Sequence, residues 1–313
     1  MVSCGDFLYL HMKHNKETVL ITGGSGLIGS HLSKKLLERG YKVRVLSRNA
    51  TQPDSFYWNP KTGTIDPNAF IQADHIIHLA GENIGEKWWT SGRKQEILDS
   101  RVRTARMLLD GIMSNQASIQ TYISASAIGY YGYGDTPCHE GAPLGSGFLA
   151  KVCKHWESIA DEFHAKGIRT VKIRTGLVLS KSGGVIPQLF TFYKYGLGLS
   201  FGKGKQWVSW IHIDDLCEIY VQALQQKHWN GPYNAVAPEI LTNKNFIKTM
   251  CMHLRKPFWD IGIPAFLFQW ILGERSELLL KGNKVVPLRL EQEKFTFRYF
   301  EIGTALESFI QDI

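Results

Sequence analysis

The stretch that decides the fold is Thr18-Val19-Leu20-Ile21-Thr22-Gly23-Gly24-Ser25-Gly26-Leu27-Ile28-Gly29. Its first residues form a short apolar run of the kind that makes a buried strand. The glycines that follow require a tight turn. Beyond them Leu27, Ile28, His31, Leu32, Lys35, Leu36 and Arg39 recur at helical spacing until Gly40 stops the pattern. The reading is strand, tight turn, helix, stop.

Working outward, residues 43–46, 56–58 and 75–79 read as further strands. A long helix follows between 88 and 113, carried by Ile97, Arg101, Thr104, Ala105, Leu108, Leu109 and Ile112. Residues 121–124 are the next strand, 149–165 a helix and 170–179 another strand. Strands alternating with helices predict an α/β fold, a Rossmann doubly wound parallel sheet of about seven strands. After Ser180 the alternation loosens into a segment punctuated by Gly183, Gly184, Gly196, Gly198, Gly202 and Gly204 and rich in aromatics. The expected organisation is a tail over 1–16, in which Met12 is an alternative start, and a nucleotide-binding domain over 17–180. Segments near 208–237 return to that domain, and 181–207 with 238–313 form a small C-terminal substrate lobe. Within the lobe, helical stretches at 264–272 and 305–310 flank an extended 295–300.

Composition narrows the function classes. The chain has 313 residues, 44% hydrophobic and 20% charged, enough for a full core and free of disorder-type bias. Its five cysteines are scattered, with no metal-ligand spacing, which points to a reducing compartment and no metal site. No apolar run approaches the roughly 20 residues of a membrane span, and the first residues lack a signal peptide's apolar core. The expected address is the cytoplasm, with no membrane partner. The net charge of +8 is spread along the chain rather than clustered, so nucleic acid is not expected and anionic small ligands are.

Gly24, Gly26 and Gly29 supply Gly-x-Gly-x-x-Gly directly after a strand and at the opening of a helix. In that context glycines let the backbone approach a pyrophosphate, and the free N–H groups and dipole of the helix N-terminus favour its charge. A carboxylate ending the second strand would select NAD, but no Asp or Glu lies between Gly40 and Pro53. Ser47-Arg48-Asn49 stands there instead. A guanidinium in that place suits a 2′-phosphate, so the expected cofactor is NADP(H).

These features resemble the short-chain dehydrogenase/reductase superfamily, and Gly23-x-x-Gly26-x-x-Gly29 is the spacing of its extended members. More narrowly the chain is similar to the atypical "epimerase family protein" subgroup. That likeness rests on Leu79-Ala80-Gly81-Glu82-Asn83-Ile84, Trp89-Thr90 with Arg93-Lys94, Ser100-Arg101-Val102, the segment Ser124 to Gly132 and Ser209-Trp210-Ile211-His212. A small terminal domain running from Ile263-Pro264 to Val286-Pro287 completes it.

The resemblance implies an NADP(H) site built from Gly23, Gly24, Ser25, Gly26, Leu27, Ile28, Gly29, Ser47, Arg48, Leu79, Ala80, Gly81, Arg101, Ser124 and Val178. It also implies a serine that orients the substrate, Ser126 or else Ser124, followed by a Tyr-x-x-x-Lys pair at the start of the next helix. Phe148 or Leu149 stands where that tyrosine belongs, and Lys151 and Lys154 are out of register. A substitute acid is needed for hydride transfer to a carbonyl. Tyr131, with Tyr130 and Tyr133 beside it, is the candidate. Glu82, Asn83 and His212 are candidates for substrate contact.

The expected function is an NADP(H)-dependent oxidoreductase or epimerase-like enzyme, monomer or homodimer. Its substrate would be a small anionic or nucleotide-linked carbonyl or alcohol. The alternative is an NADPH sensor without turnover.

Overall fold

The structure is a computed structural model and describes residues 17–196 and 198–310. The expected tail over 1–16, with Met12, lies outside the described residues. In chain order the main sheet uses β1 (Thr18–Thr22), β2 (Lys42–Ser47), β3 (Ser55–Asn59), β4 (Thr64–Ile65), β5 (His75–His78), β6 (Thr121–Ala127), β8 (Arg169–Thr175) and β13 (Gly231–Ala235). Their spatial order is β13-β8-β6-β5-β1-β2-β3-β4. Every neighbouring pair is parallel except β3 with β4, so seven parallel strands carry one short antiparallel strand at the edge.

The two faces follow from the period of two along each strand. Val19, Ile21, Ile77, Ile123, Val171 and Ile173 point to one side and pack against α1 (Leu27–Glu38) and a helix at Ile213–Gln225. Leu20, Ile76 and Tyr122 point to the other, against α2 (Ser91–Ser114) and α3 (Phe148–Ala165). Each face needs a helical cover because the strands are buried on both sides.

Beyond β8 the chain departs from the expected pattern. The single strand expected over 170–179 breaks at Gly176. There an added Cβ would lie 2.6 Å from the Ser209 carbonyl oxygen, so the next strand, β9 (Leu177–Leu179), turns away to pair with β12 (Trp210–His212). A third core gathers Ile186, Leu189, Tyr193, Phe246, Ile247 and Met250 with Leu306 and Phe309. Its helix at Asn243–His253 was not legible in the sequence, and the extended segment expected over 295–300 is irregular.

The C-terminal part is tied back to the sheet. β16 (Asn283–Val285) pairs with β7 (Gly134–Cys138), and β15 (Phe258–Ile263) pairs with β10 (Gly198–Phe201). Glu140 Oε1 accepts from the backbone N–H groups of Asn234 and Arg289, at 3.0 and 3.3 Å. Asn234 Nδ2 donates to the Val286 carbonyl at 2.9 Å.

Candidate functional site

In the sheet order β1 lies between β2 and β5, so the chain winds outward in one direction to β4 and then returns to the other side. The crevice at the carboxyl ends beside such a reversal is where open α/β sheets bind ligands. The glycine turn occupies it. Gly23 has φ +71°, and a Cβ there would sit 3.0 Å from the Ala80 nitrogen. At Gly24 it would meet Val45 at 2.8 Å, and at Gly29 the Gly23 carbonyl oxygen at 2.2 Å. The turn is thus pressed against β2 and the residues after β5, and only glycine fits. α1 begins at Gly26 with no side-chain cap and no acidic residue in its first turn, leaving its N-terminal dipole free for an anion.

The floor is fixed by a chain of hydrogen bonds. The Leu79 and Ala80 N–H groups both donate to Thr22 Oγ1 at 3.2 Å, so the Thr22 proton goes to His78 Nδ1 at 2.7 Å. His78 Nε2 then donates to Thr104 Oγ1 at 3.1 Å, and Thr104 donates to the Ser100 carbonyl at 2.7 Å. Burial lowers the His78 pKa to about 3, which keeps the ring neutral in this tautomer. Arg101 is held beside Gly81 by the carbonyls of Ile97 and Glu82, 3.0 and 3.1 Å away, and its guanidinium lies 5.0 Å from the Trp156 ring centre. Burial brings its pKa down to about 10. Among the described residues no carboxylate pairs with it.

At the other end of the crevice Arg48 is exposed, and no hydrogen bond or ion pair engages its side chain among the described residues. Ser47 Oγ shapes the loop by accepting from the Asn49 N–H at 3.1 Å. These residues suit a dinucleotide: backbone room at the glycines, an uncapped helix terminus, and a free guanidinium at the end of β2.

Next to this edge opens a cavity of about 310 Å³. Its walls include Ala127 at the end of β6, Thr175 at the end of β8 and Gly176 after it, Leu149, Val152, Cys153 and Trp156 of α3, and Leu278, Leu279, Lys281, Gly282 and Asn283 of the C-terminal part. Leu149 and Cys153 are four residues apart on one helical face, the same separation as in a Tyr-x-x-x-Lys pair. Burial raises the Cys153 pKa to about 11. Lys151 and Lys154 are exposed, away from the cavity.

The structure places the other residues singled out in the sequence as follows. Ser126 does not line the cavity. It is 4% exposed and donates to Glu157 Oε1 at 2.7 Å. Tyr131 donates to Asn234 Oδ1 at 2.6 Å and accepts from Arg174 at 2.8 Å, and burial raises its pKa to about 12. Both belong to a buried network around the Arg174–Glu157 pair, and neither is among the residues that line the cavity. Ser124 is buried with its hydroxyl on the Ala125 carbonyl, and Val178 packs into the sheet core. His212 faces the other side. It caps the helix at Ile213–Gln225 through the Asp214 N–H, stacks on Tyr299 at 3.7 Å, and has its pKa lowered to about 4 by burial. Glu82 and Asn83 lie on the rim, latched by Arg93 at 2.8 Å each, while their neighbour Ile84 borders the cavity.

The switch-point cradle and a cavity closed by a C-terminal lobe define an extended Rossmann-fold protein of the short-chain dehydrogenase/reductase kind. Residues 19–235 match the NAD dependent epimerase/dehydratase family, and residues 263–309 match a domain of unknown function, DUF1731. The chain belongs to that epimerase/dehydratase family. An epimerase family protein of Mycobacterium leprae is 33% identical over 294 residues, covering 93% of this chain and 95% of the relative. Human epimerase family protein SDR39U1, crystallised with NADPH, superposes with a TM-score of 0.85 at 30% identity, covering 95% of this chain and all of that one. A nucleoside-diphosphate sugar epimerase from Corynebacterium glutamicum gives 0.77 at 33% identity, covering 96% of this chain and 59% of that one. No helix among the described residues is long and apolar enough to cross a membrane.

Proposed function

We propose that this chain binds NADP(H) along the carboxyl edge of its sheet and transfers hydride between the nicotinamide and a small molecule in the cavity. The pyrophosphate lies against Gly23 to Gly29 and the N-terminus of α1, and the 2′-phosphate lies at Ser47 and Arg48. Leu79, Ala80, Gly81 and Arg101 flank the inner half. The observation that carries this reading is the cradle itself, where added Cβ atoms at Gly23, Gly24 and Gly29 would each collide with neighbours at 3.0 Å or less. The NADPH in the human relative's crystal supports the same cofactor. When bound, the cofactor supplies or accepts the hydride. The protein's part is to hold it, keep water out with the apolar walls and place Arg101 beside the reacting end. Titration with NADPH and NADH, followed by fluorescence, tests the binding, and equal affinity for both would overturn the cofactor choice. NADPH oxidation at 340 nm with a panel of carbonyl compounds tests the transfer.

A second reading, an NADPH sensor without turnover, is favoured by one observation. The residues of the first turns of α3 that line the cavity are Leu149, Val152 and Cys153, and none of them can serve as a tyrosinate–ammonium couple. Tight NADPH binding with no oxidation across the panel supports it.

A further inference from the structure

The relatives' names suggest sugar nucleotides, but the cavity has other chemistry. Its wall is built chiefly from Ile84, Leu149, Val152, Leu189, Phe246 and Leu278, with no Asp or Glu among the lining residues. Arg101 is the cation of this wall that no carboxylate pairs with among the described residues, and it can donate to a carbonyl oxygen; most of the other polar side chains that border the cavity are spent on the protein. Gln206 Nε2 donates to the carbonyls of Phe201 and Leu279, at 3.0 and 2.7 Å. Asn243 Oδ1 accepts from the Phe201 N–H at 2.9 Å. Ser209 Oγ donates to the Asn283 carbonyl at 2.9 Å and accepts from the Val285 N–H at 3.1 Å. Asn283 Nδ2 donates to the Ile128 carbonyl at 2.7 Å, and Trp207 Nε1 to Asp135 at 2.8 Å. Lys281 at the mouth pairs with Glu277 at 2.7 Å. These bonds fasten the C-terminal lobe over the cavity.

A hexose's several hydroxyls or a diphosphate entering such a space would lose their water and find few partners besides Arg101, whereas a single carbonyl oxygen needs no more. The volume, about 310 Å³, is also at the small end of the range for ligand pockets, about 300–1,000 Å³.

We infer that the substrate of this cavity is a compact, uncharged, largely hydrocarbon carbonyl compound, aromatic or aliphatic, and that nucleoside-diphosphate sugars are not its ligands. This specificity rests on the hydride-transfer reading for its meaning, because the cofactor supplies the hydride and solvent the proton when the carbonyl becomes an alcohol. The binding preference stands apart from turnover.

Calorimetric titration of the full chain with benzylideneacetone, decanal and UDP-glucose, each with and without saturating NADP⁺, tests the inference. The expected result is saturable binding of benzylideneacetone or decanal at least about tenfold tighter than any binding of UDP-glucose. Leu278→Glu, on the partly buried cap, should weaken the apolar ligand about tenfold without changing NADPH affinity. Leu149→Glu provides an independent wall change in the first turn of α3, where a carboxylate suits the helix terminus. UDP-glucose binding as tightly as the apolar compounds overturns the inference, as does failure of both apolar probes to bind, or apolar binding indifferent to both glutamates in folded variants. Loss of NADPH binding with apolar binding intact would instead defeat the cofactor reading and leave the cavity's preference supported.

Discussion

Ser126 Oγ and Glu157 Oε1 are joined by a 2.7 Å hydrogen bond inside the protein, and the same carboxylate is clasped by Arg174 through Nε and Nη2, both at 2.8 Å. The serine at the end of β6 therefore secures a buried ion pair between β8 and α3. Ser126→Ala should lower stability by about 1–3 kcal/mol, the range for a lost buried hydrogen bond to a charged group, and leave NADPH affinity unchanged. Urea unfolding and a cofactor titration on the same variant check both halves. A fully stable variant that has lost activity would restore the catalytic role denied above.

Arg48 tests the cofactor's identity. Arg48→Asp should weaken NADPH about tenfold to a hundredfold, since charge-assisted hydrogen bonds contribute about 1.5–3 kcal/mol, and should leave NADH nearly untouched. Identical NADPH titrations for the two proteins would remove Arg48 from the site.

His78 makes the fold sensitive to acid. Its folded pKa of about 3 lies below the ordinary 6.5, so between these values the unfolded chain binds the extra proton. Stability from this group is complete above pH 6.5 and declines as pH falls toward 3, by about 2–3 kcal/mol at pH 4.5. Buried His212, with a pKa of about 4, acts in the same direction. Urea midpoints from pH 7 to 4.5, compared between the native chain and His78→Asn, should show a steeper decline in the native chain. Parallel curves would contradict the burial argument.

Cys153 should be chemically quiet. The thiolate is the reactive form, and burial places this thiol's pKa at about 11. Alkylation by iodoacetamide at pH 8, mapped by peptide mass spectrometry, should label half-buried Cys138 at least roughly tenfold faster than Cys153, with the difference vanishing in urea. Prompt labelling of Cys153 in the native protein would show an activated thiol in the cavity.

What the sequence made legible was local. The glycine turn, the absence of a carboxylate after β2 and the alternation of strands and helices each rest on neighbouring residues, and each has its counterpart in the sheet. Ser126 was misread for a geometric reason. Strand periodicity puts Ser124 and Ser126 on the face of Tyr122, which stacks on Phe163 of α3, while Ala127 reaches the cavity. Tyr131 sits in a short 3₁₀ turn that aims its hydroxyl at Arg174 and Asn234. His212, named as a candidate for substrate contact, has its ring occupied in capping and stacking. Other parts of the cavity wall, Gln206, Asn243, Leu278, Leu279 and Asn283, are brought in from distant segments and carry no motif. Phe148 or Leu149 at the place of the missing tyrosine was the one signal of it available beforehand.

The link from Glu140 to the Asn234 and Arg289 N–H groups, with the pairing of β16 on β7, has a bearing on how this protein can be handled. The epimerase/dehydratase segment and the DUF1731 segment meet by sharing backbone partners, so a chain cut between them would bare an unsatisfied carboxylate, an open strand edge and one wall of the apolar cavity. Neither half is a spare part: each supplies hydrogen-bond partners, a strand edge and cavity wall that the other needs.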